Sequence, residues 1–169
     1  MDQLMLEREI IKVRSLEDIG FSNSYFLWVI HADKIPPHIG ISFDDRFFSL
    51  KSNGKDEGLS IFRMESILRK KCIPVLFYEI EREAVQVTPD IIFSNYEKTV
   101  SGKVTCLEPL KDIFGVLNAT WIKELLQSLK SKDFIRNCYG WQLPEGFTEI
   151  PDYSPAEIHQ RLIALENAS

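Results

Sequence analysis

Residues 38–51 have the pattern of a β-hairpin. Two β-prone runs rich in Ile, Phe and Leu, His38–Phe43 and Arg46–Lys51, stand on either side of Asp44 and Asp45. Aspartate tolerates the backbone conformations of tight turns, so these two residues form the expected loop. The pattern predicts two antiparallel strands around which the rest of the chain is organised.

A two-residue turn at this place fixes the register of the hairpin. The predicted cross-strand pairs are Phe43 with Arg46, Gly40 with Ser49, and His38 with Lys51. Period-two alternation then gives a core face made of Ile39, Ile41, Phe48 and Leu50. The other face is mostly polar and holds His38, Gly40, Ser42, Phe47, Ser49 and Lys51. On that face His38 and Ser49 are diagonal neighbours, about 7 to 8 Å apart at the backbone.

The remaining patterns predict a single α+β domain over residues 1–169. Tyr25–Ile30 is continuously apolar, as expected of a central strand covered on both faces. The predicted sheet is mainly antiparallel, with strands near residues 24–31, 38–43, 46–51 and 73–81. The predicted helices lie near residues 59–70, 106–117 and 120–130. Glu9–Ser15 is either a short strand or the end of a helix, and we favour the strand. The polar Ser52–Gly58 and most of residues 82–103 are interpreted as loops.

The C-terminal region, residues 139–169, is predicted as an extended arm followed by a helix, both packed on the body. Ser154 and Glu157 form a capping box with Pro155 between them, which predicts a helix start. A short helix is marginal in water, so it must bury its apolar residues, Ile158, Leu162 and Leu165. We expect docking on the same domain rather than on a partner, because the preceding arm is rich in large aromatic side chains.

Composition excludes several classes of partner and compartment. The net charge of −5 and the pI near 5.3 argue against a nucleic-acid or anionic-membrane surface. Cys72, Cys106 and Cys138 are an odd number without CxxC spacing, so reduced thiols and a cytoplasmic location are expected. The N-terminal residues have no signal-peptide pattern, and no apolar run is long enough to span a membrane.

Cys106 is the strongest candidate for chemistry. It lies in the sequence Thr105-Cys106-Leu107-Glu108, which has the form of a capping box, and a thiol in the first turn of a helix is favoured as thiolate. Nucleophilic cysteine needs an imidazole within reach, and His38 is the preferred base among the three histidines. The alternative is that Cys106 is a small core residue.

A metal site is a further possibility in the same region. His31, Asp33 and His38, with Asp44 and Asp45, supply ligand types suited to zinc or another divalent ion. Their spacing matches no recognisable metal motif, and the two aspartates are better explained by the turn. We therefore predict neither a metal nor another cofactor.

Three segments together resemble a known family. They are His38-Ile39-Gly40-Ile41, the return strand Phe47-Phe48-Ser49-Leu50, and Thr105-Cys106-Leu107-Glu108. Their order is similar to that of the circularly permuted papain-like group, which includes the NlpC/P60-related and LRAT-like hydrolases and acyltransferases. In that group a histidine precedes the cysteine, and a further polar residue orients the imidazole. Here that place falls on Ser49, where the LRAT-like branch has histidine.

The resemblance implies a papain-like thiol hydrolase or acyltransferase acting on an amide, ester or thioester bond. Cys106 would be the nucleophile, His38 the general base and Ser49 the residue that orients His38. The substrate would be a peptide or an acyl compound. The alternative is a non-enzymatic module that binds a protein partner through the C-terminal arm and helix.

Overall fold

The computed structural model describes residues 10–168, which fold around one sheet of seven strands. In chain order the strands are β1 (Ile10–Val13), β2 (Tyr25–Ile30), β3 (His38–Phe43), β4 (Arg46–Lys51), β5 (Gly54–Ser60), β6 (Val75–Ile80) and β7 (Ile135–Trp141). The helices are α1 (Ile61–Lys70), α2 (Pro89–Phe93), α3 (Glu108–Phe114), α4 (Ile122–Ser131) and α5 (Pro155–Ala168). The sheet order is β1-β7-β6-β2-β3-β4-β5, and only β1 and β7 pair in parallel. The α+β class with a mainly antiparallel sheet is therefore confirmed.

Strand β2 is the centre of the sheet, as its apolar sequence predicts. It lies between β6 and β3, and all six of its residues are buried. Its side chains alternate between two cores, so that Leu27 enters the larger core and Trp28 the smaller one. Helices α2 to α5 cover the larger core, whereas α1 covers the smaller one.

The hairpin has the predicted turn and register. Phe43 lies opposite Arg46 and Gly40 opposite Ser49. The predicted core face is confirmed, because Ile39, Ile41, Phe48 and Leu50 all belong to the larger core.

The opposite face of the hairpin has the predicted, mostly polar residues, but most of them are buried. The Phe47 ring lies over Gly40, within 2.5 Å of the place that a Cβ on the glycine would take. The Ser42 hydroxyl accepts a hydrogen bond of 2.8 Å from the indole N–H of Trp28. This face is buried because α1 packs against it, and the sequence of the hairpin does not indicate that contact.

Two strands lie where the sequence predicts none. The first, β5, occupies most of the polar stretch interpreted as a loop and pairs with β4 at the edge of the sheet. An edge strand needs no apolar face, which explains its loop-like composition. The second, β7, includes Tyr139 to Trp141 and lies between β1 and β6, so the arm begins only after Trp141.

The helices agree with the predictions in place but differ in length. Helices α1 and α4 lie close to the predicted ranges, whereas α3 is shorter at both ends than the predicted 106–117. Gly115 ends α3 because it takes a left-handed conformation with φ 68°. The short helix α2 lies within the stretch interpreted as a loop.

Helix α5 begins at a capping box and packs on the larger core. The capping box is reciprocal, with the Glu157 amide donating to the Ser154 hydroxyl and the Ser154 amide donating to the Glu157 carboxylate. Ile158 and Leu162 are buried in the larger core. Glu166 also accepts hydrogen bonds from the amide and hydroxyl of Ser101. None of the helices within residues 10–168 is both long and apolar enough to cross a membrane.

Candidate active site

A cavity of about 180 Å³ lies at the end of β3, between the sheet, the segment around Cys106 and α5. We call it the thiol cavity. It is lined by Pro36, Pro37, His38, Ile39, Leu50, Lys51, Ser52, Thr99, Thr105, Cys106, Leu107, Tyr153, Ile158, Arg161, Leu162 and Leu165. Cys106 and His38, which are far apart in the chain, are thus brought to one cavity.

Cys106 is half-buried and precedes α3 rather than starting it. The predicted capping box does not form, because the Thr105 hydroxyl accepts from the Leu107 amide, two residues on, at 3.2 Å. Burial raises the pKa of the Cys106 thiol to about 11, although the Ile39 amide and its own amide donate toward the sulfur and oppose the shift. The expected thiolate is therefore not the form that this closed arrangement favours.

His38 is the first residue of β3 and pairs with Ile30 of β2. Burial lowers the pKa of its imidazole to about 4. The Asp56 carboxylate opposes that shift, whereas Lys51 and His31 reinforce it. At neutral pH the cavity therefore holds a neutral imidazole and a protonated thiol.

The two side chains approach the thiol cavity from different sides of the sheet. Strand alternation puts His38 in the same row as Gly40 and Ser42, on the smaller-core face. Cys106 packs against the larger core, and its sulfur lies beside the Ile39 amide. A direct proton transfer between them requires a movement at this end of the sheet.

Ser49 is fully buried and belongs to a small polar network. Its hydroxyl donates a hydrogen bond of 2.9 Å to the Asp56 carboxylate, whose other oxygen lies 3.1 Å from Lys51 Nζ. Asp56 lies on β5, directly opposite Ser49. The sequence does not single out Asp56, because the polar stretch Ser52–Gly58 predicts a loop. Lys55, Asp56 and Glu57 are all charged, so they lack the apolar and polar alternation that indicates a strand.

Two further residues of the thiol cavity come from the C-terminal region. Tyr153 is buried near Cys106, and its hydroxyl accepts a hydrogen bond of 3.2 Å from the Ile122 amide. Burial is the largest cause that raises the pKa of Tyr153. Arg161 lies on the α5 surface at the cavity. The sequence predicts that α5 docks in cis, but it does not show which part of the domain α5 covers.

The residues considered for a metal site do not gather. Within residues 10–168, no group of three or more His, Cys, Asp or Glu side chains is placed to hold a metal ion. Asp44 occupies the hairpin turn with φ 57° and accepts a hydrogen bond of 3.0 Å from the Asn23 amide. The turn interpretation of this residue is therefore confirmed.

Comparison with known proteins finds no matching family, no matching curated protein and no matching solved structure.

Proposed function

We propose that this protein is a cysteine-dependent hydrolase or acyltransferase that acts on an amide, ester or thioester bond. Cys106 is the nucleophile, His38 the general base, and Ser49 with Asp56 the polar support on the histidine side. The observation that carries the proposal is that Cys106 and His38 line the same cavity. The Ile39 amide beside the sulfur supplies a hydrogen-bond donor at the place where chemistry would occur.

The proposed reaction has two steps. The Cys106 sulfur forms a bond with the acyl carbon while its proton passes to His38, and the leaving group departs with that proton. Water or an acceptor then attacks the thioester and gives a proton to His38; the carbon–sulfur bond breaks, the acyl product leaves, and His38 returns the proton to the Cys106 sulfur. No metal or redox partner is needed for either step. The thiols would remain reduced in the cytoplasm, which is where we place the activity.

The resting arrangement is not the reactive one. A thiol with a pKa of about 11 and an imidazole with a pKa of about 4 do not exchange a proton readily. Burial raises the pKa of Cys106 and lowers that of His38. Opening of the cavity would therefore return both pKa values toward those of exposed groups. Helix α5 lines the cavity on the side of Cys106, so its movement is the proposed opening step there. A separate movement at the end of β3 would bring His38 to the sulfur.

The alternative function as a partner-binding module has less support. It relies on a free apolar face of the terminal helix, and the residues of that face, Ile158 and Leu162, are buried in this domain.

A test uses p-nitrophenyl acetate, whose small acyl group suits the volume of the cavity. We expect a burst of p-nitrophenolate and an acetyl adduct on Cys106, identified by mass spectrometry. Cys106→Ser should lose the adduct, and His38→Gln should slow its formation. His31→Gln is the matched control, since His31 lies in the adjoining loop and is not among the residues that line the thiol cavity. Equal acetylation of wild type and His38→Gln would contradict the assignment of the base.

A further inference from the structure

The thiol cavity has a positive lining in a protein of negative net charge. The whole chain carries −5, yet the charged residues that line the cavity are Lys51 and Arg161, and no carboxylate lines it. The other lining residues are apolar apart from His38, Cys106, Tyr153 and three small hydroxyl residues. Lys51 and Arg161 are therefore the charged residues at the cavity, and the Lys51 ammonium is bound to Asp56.

The adjoining loop has charges of both signs near His31. The pKa of His31 is lowered chiefly by burial, and then by three cations, Lys34, Lys71 and Arg161, with Asp33 acting in the opposite direction. Lys51 is partly neutralised by Asp56, at 3.1 Å. Glu108, whose charge adds to the raised pKa of Cys106, is paired with Lys111 at 3.4 Å. Of the two cations of the cavity, Lys51 is in an ion pair, whereas Arg161 is in none within residues 10–168.

We infer that the substrate of the proposed reaction carries an anionic group close to its acyl carbon, and that Lys51 and Arg161 bind this group. The inference rests on the proposed function and adds the class of substrate to it. Guanidinium binds carboxylate and phosphate through paired hydrogen bonds, and ammonium binds either as a point charge.

The size of the cavity limits the rest of the substrate. Ligand pockets usually have volumes of about 300 to 1,000 Å³, and the thiol cavity has about 180 Å³. It therefore holds a short anionic acyl group, or the anionic end of a longer molecule.

Alkylation of Cys106 with iodoacetate and with iodoacetamide tests this inference. Both reagents form the same sulfur–carbon bond and release iodide, and the thiol proton goes to solvent, but only iodoacetate is an anion. The measured quantity is the ratio of the two rates at Cys106, followed by peptide mass spectrometry and divided by the same ratio for N-acetylcysteine amide. We expect a ratio about three- to fivefold above that of the free thiol, as for one partly exposed ion pair.

Arg161→Gln should bring the ratio close to that of the free thiol, and Lys51→Gln should lower it. Arg161 is exposed on α5, so its variant is expected to fold even if Lys51→Gln, which leaves Asp56 unpaired, does not. Lys132→Gln, which changes an exposed cation at the end of α4, should keep the wild-type ratio.

The same ratio in wild type, Arg161→Gln and free thiol would overturn the inference and leave the proposed function standing. A Cys106 that reacts with neither reagent would overturn both.

A competition experiment distinguishes the two kinds of anion. Inorganic phosphate and acetate are each added to the iodoacetate reaction at equal ionic strength. Stronger protection of Cys106 by phosphate assigns a phosphorylated substrate, and stronger protection by acetate assigns a carboxylate. Protection by neither, in a protein that labels normally, counts against an anion site.

Discussion

The thiol cavity and a groove on the smaller-core side of the sheet carry opposite charges. The groove has a volume of about 470 Å³ and is lined by Leu16, Glu17, Ile19, Gly20, Phe21, Ser22, Asp44, Asp45, Ile61, Phe62 and Glu65. Four of these residues are acids and none is a cation, whereas the thiol cavity contains two cations and no acid. The two regions therefore differ in the sign of the charged residues that line them, although Lys51 is paired with Asp56 and Glu65 with Arg69.

The thiol cavity and the acidic groove also differ in how far other parts of the protein cover them. A helix near the chain terminus, α5, covers the thiol cavity and contributes buried apolar residues to it. The acidic groove is more open, and Phe62 at its side is 70% exposed. Removal of one element should therefore open the first region, while substitutions in the second should leave the fold almost unchanged.

The largest effect should come from deletion of residues 154–169. Burial of Ile158 and Leu162 contributes about 2 kcal/mol each to the free energy of unfolding. The melting temperature should fall by about 10 °C, given about 2 to 4 °C per kcal/mol for a domain of this size. In the fraction that stays folded, iodoacetamide should label Cys106 faster, because water reaches the thiol and lowers its pKa.

Deletion of residues 167–169 is the control for this truncation. Asn167 and Ala168 are exposed, so we expect the melting temperature and the labelling rate of wild type. An unchanged melting temperature after the longer deletion would mean that α5 does not stabilise this domain. That result would favour the partner-binding alternative.

The sequence predicts those elements of the fold that have a clear local pattern of turn residues or apolar residues. The hairpin register followed from Asp44 and Asp45, since a two-residue turn leaves few alternatives. Strand β2 followed from its continuous apolar run. The edge strand β5 and the strand β7 were missed because neither has a regular apolar alternation, and so Asp56 was missed as well.

The candidate site was predicted only in part, for a related reason. Cys106 and His38 were selected by residue type and by a family resemblance, and they do line one cavity. The raised pKa of Cys106 is not predicted, because it results from burial in the folded domain and not from local sequence. Long-range packing of this kind has no signature in one chain segment.

A matched pair of alanine substitutions compares the stability of the thiol cavity with that of the acidic groove. The expected loss of stability is smaller than that of the truncation. Leu162→Ala should lower the free energy of unfolding by about 2 to 3 kcal/mol, as for a buried leucine. Phe62→Ala should change it by less than about 0.5 kcal/mol, because the ring is mostly exposed. Urea denaturation of both variants measures the difference. A loss of similar size in Phe62→Ala would show that the acidic groove is closed by that ring.

The smallest effect concerns acid and the buried imidazole of His38. Its pKa is lowered to about 4 in the folded protein from an ordinary value near 6.5. Between these two values the unfolded chain binds more protons than the folded one, so stability falls as the pH is lowered from about 6.5 to 4. Above pH 6.5 the group makes no contribution. Because the residue is only half-buried, we expect the loss at pH 5 to be about 1 kcal/mol.

His38→Gln should remove most of this pH dependence, while His31, whose pKa is also lowered by burial, should retain a part with the same sign. Asp45→Asn in the acidic groove is the matched control, because it leaves His38 in place and should keep the wild-type slope. The measurement is the urea midpoint of the three proteins between pH 7 and pH 5. If His38→Gln loses stability with acid as steeply as wild type, His38 is already solvated in the folded protein. Burial would then not explain why His38 is a weak base in the resting state.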